Sequence, residues 1–194
     1  MKIKKSELSK GSLLLASPSL SDPNFQRSVI LMGDYGPEGA FGFVLNKPSG
    51  KKFGELETNN IANPVFKSKA AGIPIFNGGP CEPEYLQAVH SFEGIKNSLK
   101  ISEGLFIGGN FSEILSSVSG ATASDPLKFF TGYAGWGPGQ LDNEIKQKSW
   151  FVLPPEKGPV FRPSGKELWR DVLKSPGDPY MSFIADMPED PGMN

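Results

Sequence analysis

The chain has one thiol and one neutral base, Cys81 and His90. A cysteine becomes a nucleophile when a nearby base or cation favours its thiolate. Cys81 directly follows the turn Asn77-Gly78-Gly79-Pro80, and His90 lies further along what reads as one hairpin. Nothing in the sequence supplies the third group that would orient the imidazole. Free cysteine commonly behaves as a small buried hydrophobe and a lone histidine as a core residue, so the pair is expected to pack rather than to react. The two together also fall short of the nitrogen and sulfur ligand set of a zinc site. A single cysteine makes no internal disulfide, and a reducing cytosol is the expected compartment.

The densest grouping of aromatic, polar and glycine residues is Gly132-Tyr133-Ala-Gly135-Trp136-Gly-Pro-Gly139-Gln140-Leu141-Asp-Asn-Glu144-Ile145. Glycines there let backbone pass close to rings, Tyr133 and Trp136 are able to wall a pocket, and Gln140 and Glu144 stand one helical turn apart. The plainer expectation is a strand-to-helix corner in which the rings fill the core and the two polar side chains bond locally. The run is not a dinucleotide fingerprint, because Asp142 occupies the place of the third glycine. Neither Gly50-Lys51-Lys52 nor Gly165-Lys166-Glu167 has the spacing of a phosphate loop. Gly108-Gly109-Asn110 enters a helix whose free amides suit an anion, although such turns are common without one. No acid pair stands at a spacing that forces two carboxylates into one cleft.

Charge narrows the partners. Lys+Arg 20 against Asp+Glu 21 leaves a net charge of −1, with the lysines scattered in pairs, so no basic footprint for nucleic acid is present. The aromatic residues are interleaved with aliphatic ones rather than with Lys or Arg, which marks them as core-forming. Leu13–Ala16 is too short for a signal-peptide core or a membrane span, and no membrane partner is expected. Neither a cofactor nor a metal is expected.

The elements that must position these residues are short. Gly 23 and Pro 18 punctuate the chain, and the apolar fraction of 38% is that of a folded protein. Strands are predicted at 12–17, 28–33, 40–45, 73–76, 85–90, 104–107, 127–134 and 150–153, with a last strand-like piece at 180–185. Gly36-Pro37-Glu38-Gly39 has the composition of a hairpin turn, and the strands at 73–76 and 85–90 read as a turn-linked pair. Residues 51–71 pattern weakly, with a short helix at 53–57. Phe111, Ile114, Leu115 and Val118 mark an amphipathic helix opened by Asn110 and stopped at Gly120. A second helix begins near Pro138, with Leu141 and Ile145 on one face and Glu144 four before Lys148. Ser164 and Glu167 have capping-box spacing ahead of Leu168, Trp169, Val172 and Leu173. One domain over 1–194 is predicted, of α+β class with a mixed, largely antiparallel sheet, a flexible leader at 1–10 and a flexible tail at 188–194.

Leu14-Leu-Ala-Ser-Pro18, Asp22-Pro-x-Phe25-x-Arg-Ser-Val29, Gly42-x-Val-Leu-Asn46-x-Pro48, Gly78-Gly-Pro80, Gly132-Tyr-Ala-Gly-Trp136-x-x-Gly-Gln-Leu141-x-x-Glu144 and Leu168-Trp169 together resemble the AlgH (YqgE) family of bacterial proteins. The resemblance spans nearly the whole chain. It implies a single domain whose bifurcated sheet curls into a pseudo-barrel with helices packed outside. It brings a transcriptional-regulator label and no catalytic residues to carry over. Family-like positions able to serve a site are Asn46, Gly78, Gly79, Pro80, Tyr133, Trp136, Gln140 and Glu144. Where relatives often carry an aliphatic residue after Gly-Gly-Pro this chain has Cys81, which argues against a general role for that thiol. The expected function is a cytosolic regulatory or binding module for a small molecule or a protein, acting without direct contact to DNA. A DNA-binding regulator and an enzyme for a small polar substrate, using Glu144, Cys81 or His90, are the alternatives.

Overall fold

The computed structural model describes residues 7–56, 70–118, 126–162, 165, 167–175 and 177–188. Leu13–Ala16 (β1) and the first half of Val29–Gly36 (β2) are apolar without alternation because both faces of these strands are covered. Leu13, Leu15, Val29 and Leu31 enter one core cluster with Trp169, while Leu14, Ala16, Ile30 and Met32 enter another with Trp136 and Trp150. Gly39–Val44 (β3) returns antiparallel to β2 through the predicted turn, with Gly36 opposite Gly39 and a bulge between Met32 and Asp34.

The remaining strands are Pro48–Lys52 (β4), Pro74–Asn77 (β5), Cys81–His90 (β6), Ser98–Ser102 (β7), Leu105–Gly108 (β8), Leu127–Trp136 (β9) and Trp150–Leu153 (β10). They form one sheet in the order β10-β1-β2-β3-β9-β6-β8-β7, with β4 joined through β5 to β9. Every ladder is antiparallel except that of β5 with β9. The sheet curls far enough for Ile101 of β7 to share a core cluster with Leu13 of β1. The ladder runs from β10 to β7 and does not close into a barrel.

The bifurcation lies on β9. One edge of β9 carries β6, and the other carries β5 over Phe129–Thr131 and then β3 over Ala134–Trp136. The chain must therefore cross β9 between Asn77 and Cys81, and it does so over Gly132. A Cβ on Gly78 would stand 2.3 Å from the Gly132 carbonyl oxygen, and one on Gly132 would stand 2.5 Å from that of Gly79. Gly132 itself lies at φ 68, a conformation costly to any residue with a side chain. Gly78 closes the split by accepting from the Val44 amide at 2.9 Å and donating to the Thr131 carbonyl at 2.9 Å.

Among the described residues the α-helices are Phe111–Ser117 (α1), Gln140–Lys146 (α2), Lys157–Phe161 (α3), Glu167–Lys174 (α4) and Pro179–Ala185 (α5), and Phe53–Glu55 is a 3-10 turn. Ile114 and Leu115 of α1 bury against Phe129 and Ala88 on the convex side, and Leu141 of α2 buries beside Trp136 and Trp150. The buried residues of α3, α4 and α5 pack into the cluster that holds Leu13, Leu31 and Phe43. No helix among the described residues is long and apolar enough to cross a membrane.

Several local expectations are corrected. Residues 180–185 are helical: Asp178 accepts from the amides of Tyr180 (2.8 Å) and Met181 (3.2 Å), and Pro179 sits at the first helical position. Strands β5 and β6 do not pair with each other, because β9 lies between them. Helix α2 ends at Lys146, and Lys148 adopts a left-handed φ of 62, so the expected Glu144–Lys148 helical pair does not form. Strands β4 and β7 and helix α3 were not predicted. Gly120, Ser164, the weak segment at 57–69, residues 1–6 of the leader and 189–194 of the tail lie outside the described residues.

Candidate functional site

Most of the predicted site residues hold the fold together. The Glu144 carboxylate accepts from the indole N–H groups of Trp136 (2.9 Å) and Trp150 (2.7 Å) on Oε2 and from the Gln140 amide (2.9 Å) on Oε1. Gln140 Oε1 in turn accepts from the Gly137 amide at 3.1 Å. Phe25 stacks on Trp136 and meets Trp150 edge-on, so this is a clamp between α2 and the sheet. Asn46 is buried and accepts from the Val29 amide at 2.9 Å while donating to the Arg27 carbonyl at 2.8 Å, which ties the end of β3 to the start of β2. Gly78, Gly79 and Pro80 belong to the crossing over β9.

Cys81 and His90 occupy opposite ends of β6, facing Tyr133 and Leu127 on β9, roughly 20 Å apart at the rise of an extended strand. The expectation that they share a hairpin is corrected, and a Cys–His pair is geometrically excluded. His90 is fully buried between the rings of Phe92 and Phe106. Its Nδ1 accepts from the Phe92 amide (3.2 Å), which leaves the proton on Nε2 to be donated to the Gly108 carbonyl (3.0 Å). Burial holds the imidazole below its usual range against the opposing pull of these two backbone contacts.

Two further cations turn up in the structure. Lys128 is buried with its Nζ 4.6 Å from the centre of the Phe76 ring, donating to the Leu45 carbonyl at 3.5 Å, and burial pushes it down to about 7. Arg27 lies over Trp169 at 4.9 Å and donates to the carbonyls of Met187 (2.7 Å) and Pro188 (2.6 Å), pinning the end of α5. Arg27 and Asn46 border a polar cavity of about 590 Å³ with Lys47, whose ammonium donates to the Pro23 carbonyl at 2.5 Å. Each of these three side chains thus makes a bond to main chain there. Among the described residues no group of three or more His, Cys, Asp or Glu could hold a metal ion.

The open feature is a cleft of about 870 Å³ beneath the β2–β3 hairpin. Tyr133 of β9 reaches it from the predicted constellation, and so does one edge of Trp136. Its walls include Phe41 and Phe43, with Phe41 edge-to-face on Phe43 and on Tyr133, each at 6.1 Å. Phe41 lies opposite Gly135 on β9 and would clash with any Cβ on Gly33, so that glycine makes the room for its ring. Cys81 and Gln87 of β6 and Ile107 of β8 also line the cleft, and Asp34 and Glu38 stand at its hairpin rim. The hairpin is held in place where the Tyr35 hydroxyl donates to Asp142 at 2.6 Å. The sequence reading missed Phe41, Phe43 and Glu38. The available signal was the aromatic pair in Ala-Phe41-Gly-Phe43, where the glycine between them leaves both rings on one face.

Comparison with known proteins matches the AlgH-like family model over residues 13–181. The chain belongs to the AlgH-like family. A UPF0301 protein from Parabacteroides distasonis is 36% identical, over 95% of this chain and 91% of that protein. A second from Chlorobaculum tepidum is 33% identical, over 96% of each. The AlgH-like fold is shared with the solution structure of AlgH from Pseudomonas aeruginosa, with a TM-score of 0.70 at 24% identity, covering 97% of this chain and 98% of that one. It is shared also with a crystal structure of a Corynebacterium diphtheriae protein, with a TM-score of 0.73 at 24% identity and 95% of each chain. The expected α+β domain with a branched, largely antiparallel sheet is the AlgH-like fold.

Proposed function

We propose that this AlgH-like domain is a binding module that takes a small molecule in the aromatic cleft under the β2–β3 hairpin, without chemistry of its own. One observation carries the reading. Asn46, Gln140 and Glu144 are committed to internal bonds, whereas Tyr133 and Phe41 wall an open space of about 870 Å³, the size of ordinary small-molecule sites. A net charge of −1 and acidic residues at the cleft rim disfavour a phosphate backbone, so any influence on gene expression is read as indirect.

The test uses Gly135→Leu. Gly135 is exposed, and a Cβ built on it points at the Tyr133 ring (3.2 Å) and Cys81 Sγ (3.4 Å), so the longer side chain fills the cleft from its own wall. Parent and variant are incubated with cell extract, washed, and the small molecules released on denaturation are identified by mass spectrometry. A compound retained by the parent and absent from the folded variant is the expected result. Equal retention by both, or retention by neither, rejects the cleft as a binding site.

A further inference from the structure

The cleft carries a sign of charge as well as a shape. Its described lining includes the carboxylates of Asp34 and Glu38 and no lysine or arginine. Lys10 reaches Asp34 at 3.1 Å and offsets that charge, whereas Glu38, exposed at the hairpin tip, has no ion pair among the described residues.

A second acid stands next to a lining residue on β6. Glu82 follows Cys81, which lines the cleft and faces Tyr133 across the β6–β9 ladder, and its negative charge, ahead of burial and the Cys81 sulfur, holds the Tyr133 phenol above its usual range. Glu82 also adopts a left-handed backbone with φ 46, although it precedes Pro83, where extended backbone is preferred. Left-handed backbone is unfavourable for a residue with a side chain, and asparagine or glycine would relieve most of the strain. The bulge between Cys81 and Leu86 thus sets a strained glutamate beside the one ring in the cleft that also carries a hydroxyl.

We propose that the cleft takes a small organic cation, an ammonium or guanidinium on an apolar body, seated against Phe41 and Tyr133 with Glu38 and Glu82 answering its charge. The inference rests on the binding reading above and adds the ligand's class. Aromatic faces attract a cation through their quadrupoles, and nearby carboxylates add to that attraction where water is partly excluded. A neutral body of the same shape keeps the apolar contact and loses both terms.

The experiment titrates the purified domain, followed by NMR, with three probes on one aromatic body: phenethylammonium, 2-phenylethanol and phenylacetate. The cation is expected to bind about tenfold tighter than the alcohol, and the anion weakest of the three. In the double variant Glu38→Gln, Glu82→Gln the preference for the cation over the alcohol shrinks to about twofold, and in Tyr133→Leu binding of the cation weakens by about tenfold. Both acids are exposed, so the double variant retains the fold, and its dispersed spectrum verifies this. If the alcohol or the anion binds as well as the cation, the assignment of charge is wrong while the binding reading stands. If none of the three perturbs cleft resonances at millimolar concentration, the cation proposal falls, and the extract experiment decides the binding reading separately. A lysine-rich peptide binding far more tightly than phenethylammonium also overturns it, since the occupant is then a protein segment.

Discussion

Glu144 concentrates three hydrogen bonds from two indoles and an amide on one carboxylate, which makes it a joint between elements. Glu144→Ala strands two largely buried indole N–H groups, and a loss of about 2–3 kcal/mol is expected in denaturant unfolding. The same variant should leave binding in the cleft within about twofold, because Glu144 is not among the residues that line it. His90 supplies a second residue-scale prediction. Its neutral form accepts from Phe92, and its folded-state proton affinity is held below that of the unfolded chain. Stability from this group is full above pH about 6.5 and is lost as the pH falls toward the folded value, because the unfolded chain then takes the proton first. His90→Gln should flatten the decline in melting temperature between about pH 6.5 and 5 relative to the parent; an unchanged slope contradicts the assignment. At this scale Trp136, Gln140 and Glu144 meet as the sequence groups them, whereas Tyr133 packs on Phe41 in a different core cluster. Which of them faces open space depends on strand register and on the bulge between Cys81 and Leu86, neither of which leaves a local pattern.

Strand β9 is the element on which the sheet depends, since β3, β5 and β6 all pair with it. Gly132→Ala puts a methyl against the Gly79 and Cys81 carbonyls in a left-handed backbone, and a destabilisation of about 3 kcal/mol or more is expected in thermal unfolding. Gly139→Ala also sits at positive φ but meets nothing within 4 Å, and should lose only about 1 kcal/mol, the conformational part alone. Strand β1 and the buried halves of β2 and β3 were legible because they read as nearly unbroken apolar runs. Strands β4 and β7 were not: β4 is exposed at every residue but Ser49, and β7 is polar at Ser98, Lys100 and Ser102 with only Ile101 buried. The misread pairing of β5 with β6 has a similar origin. Adjacent strands joined by a glycine turn suggest a hairpin, and the strand that separates them lies some fifty residues further on. For residues 180–185, the apolar alternation of Tyr180-Met-Ser-Phe-Ile-Ala185 outweighed the cap signal of Asp178-Pro179 immediately before it.

Across the whole molecule, the α+β class was readable from irregular alternation of short elements, and the branched sheet came with the family resemblance rather than from periodicity. The cleft draws its walls from β2, β3, β6, β8 and β9, strands far apart in the chain. Its chemistry was invisible in net charge, because one basic and several acidic side chains redistribute around a single mouth.

The late position of β9 has a kinetic corollary. When synthesis has reached only residue 126, the segments that become β3, β5 and β6 have no rail to dock on, and their exposed edges must wait for Leu127–Trp136 to emerge. Assembly of this domain is consequently gated by its last third, and a nascent chain stalled before that point presents several unpaired strands to whatever chaperone meets it.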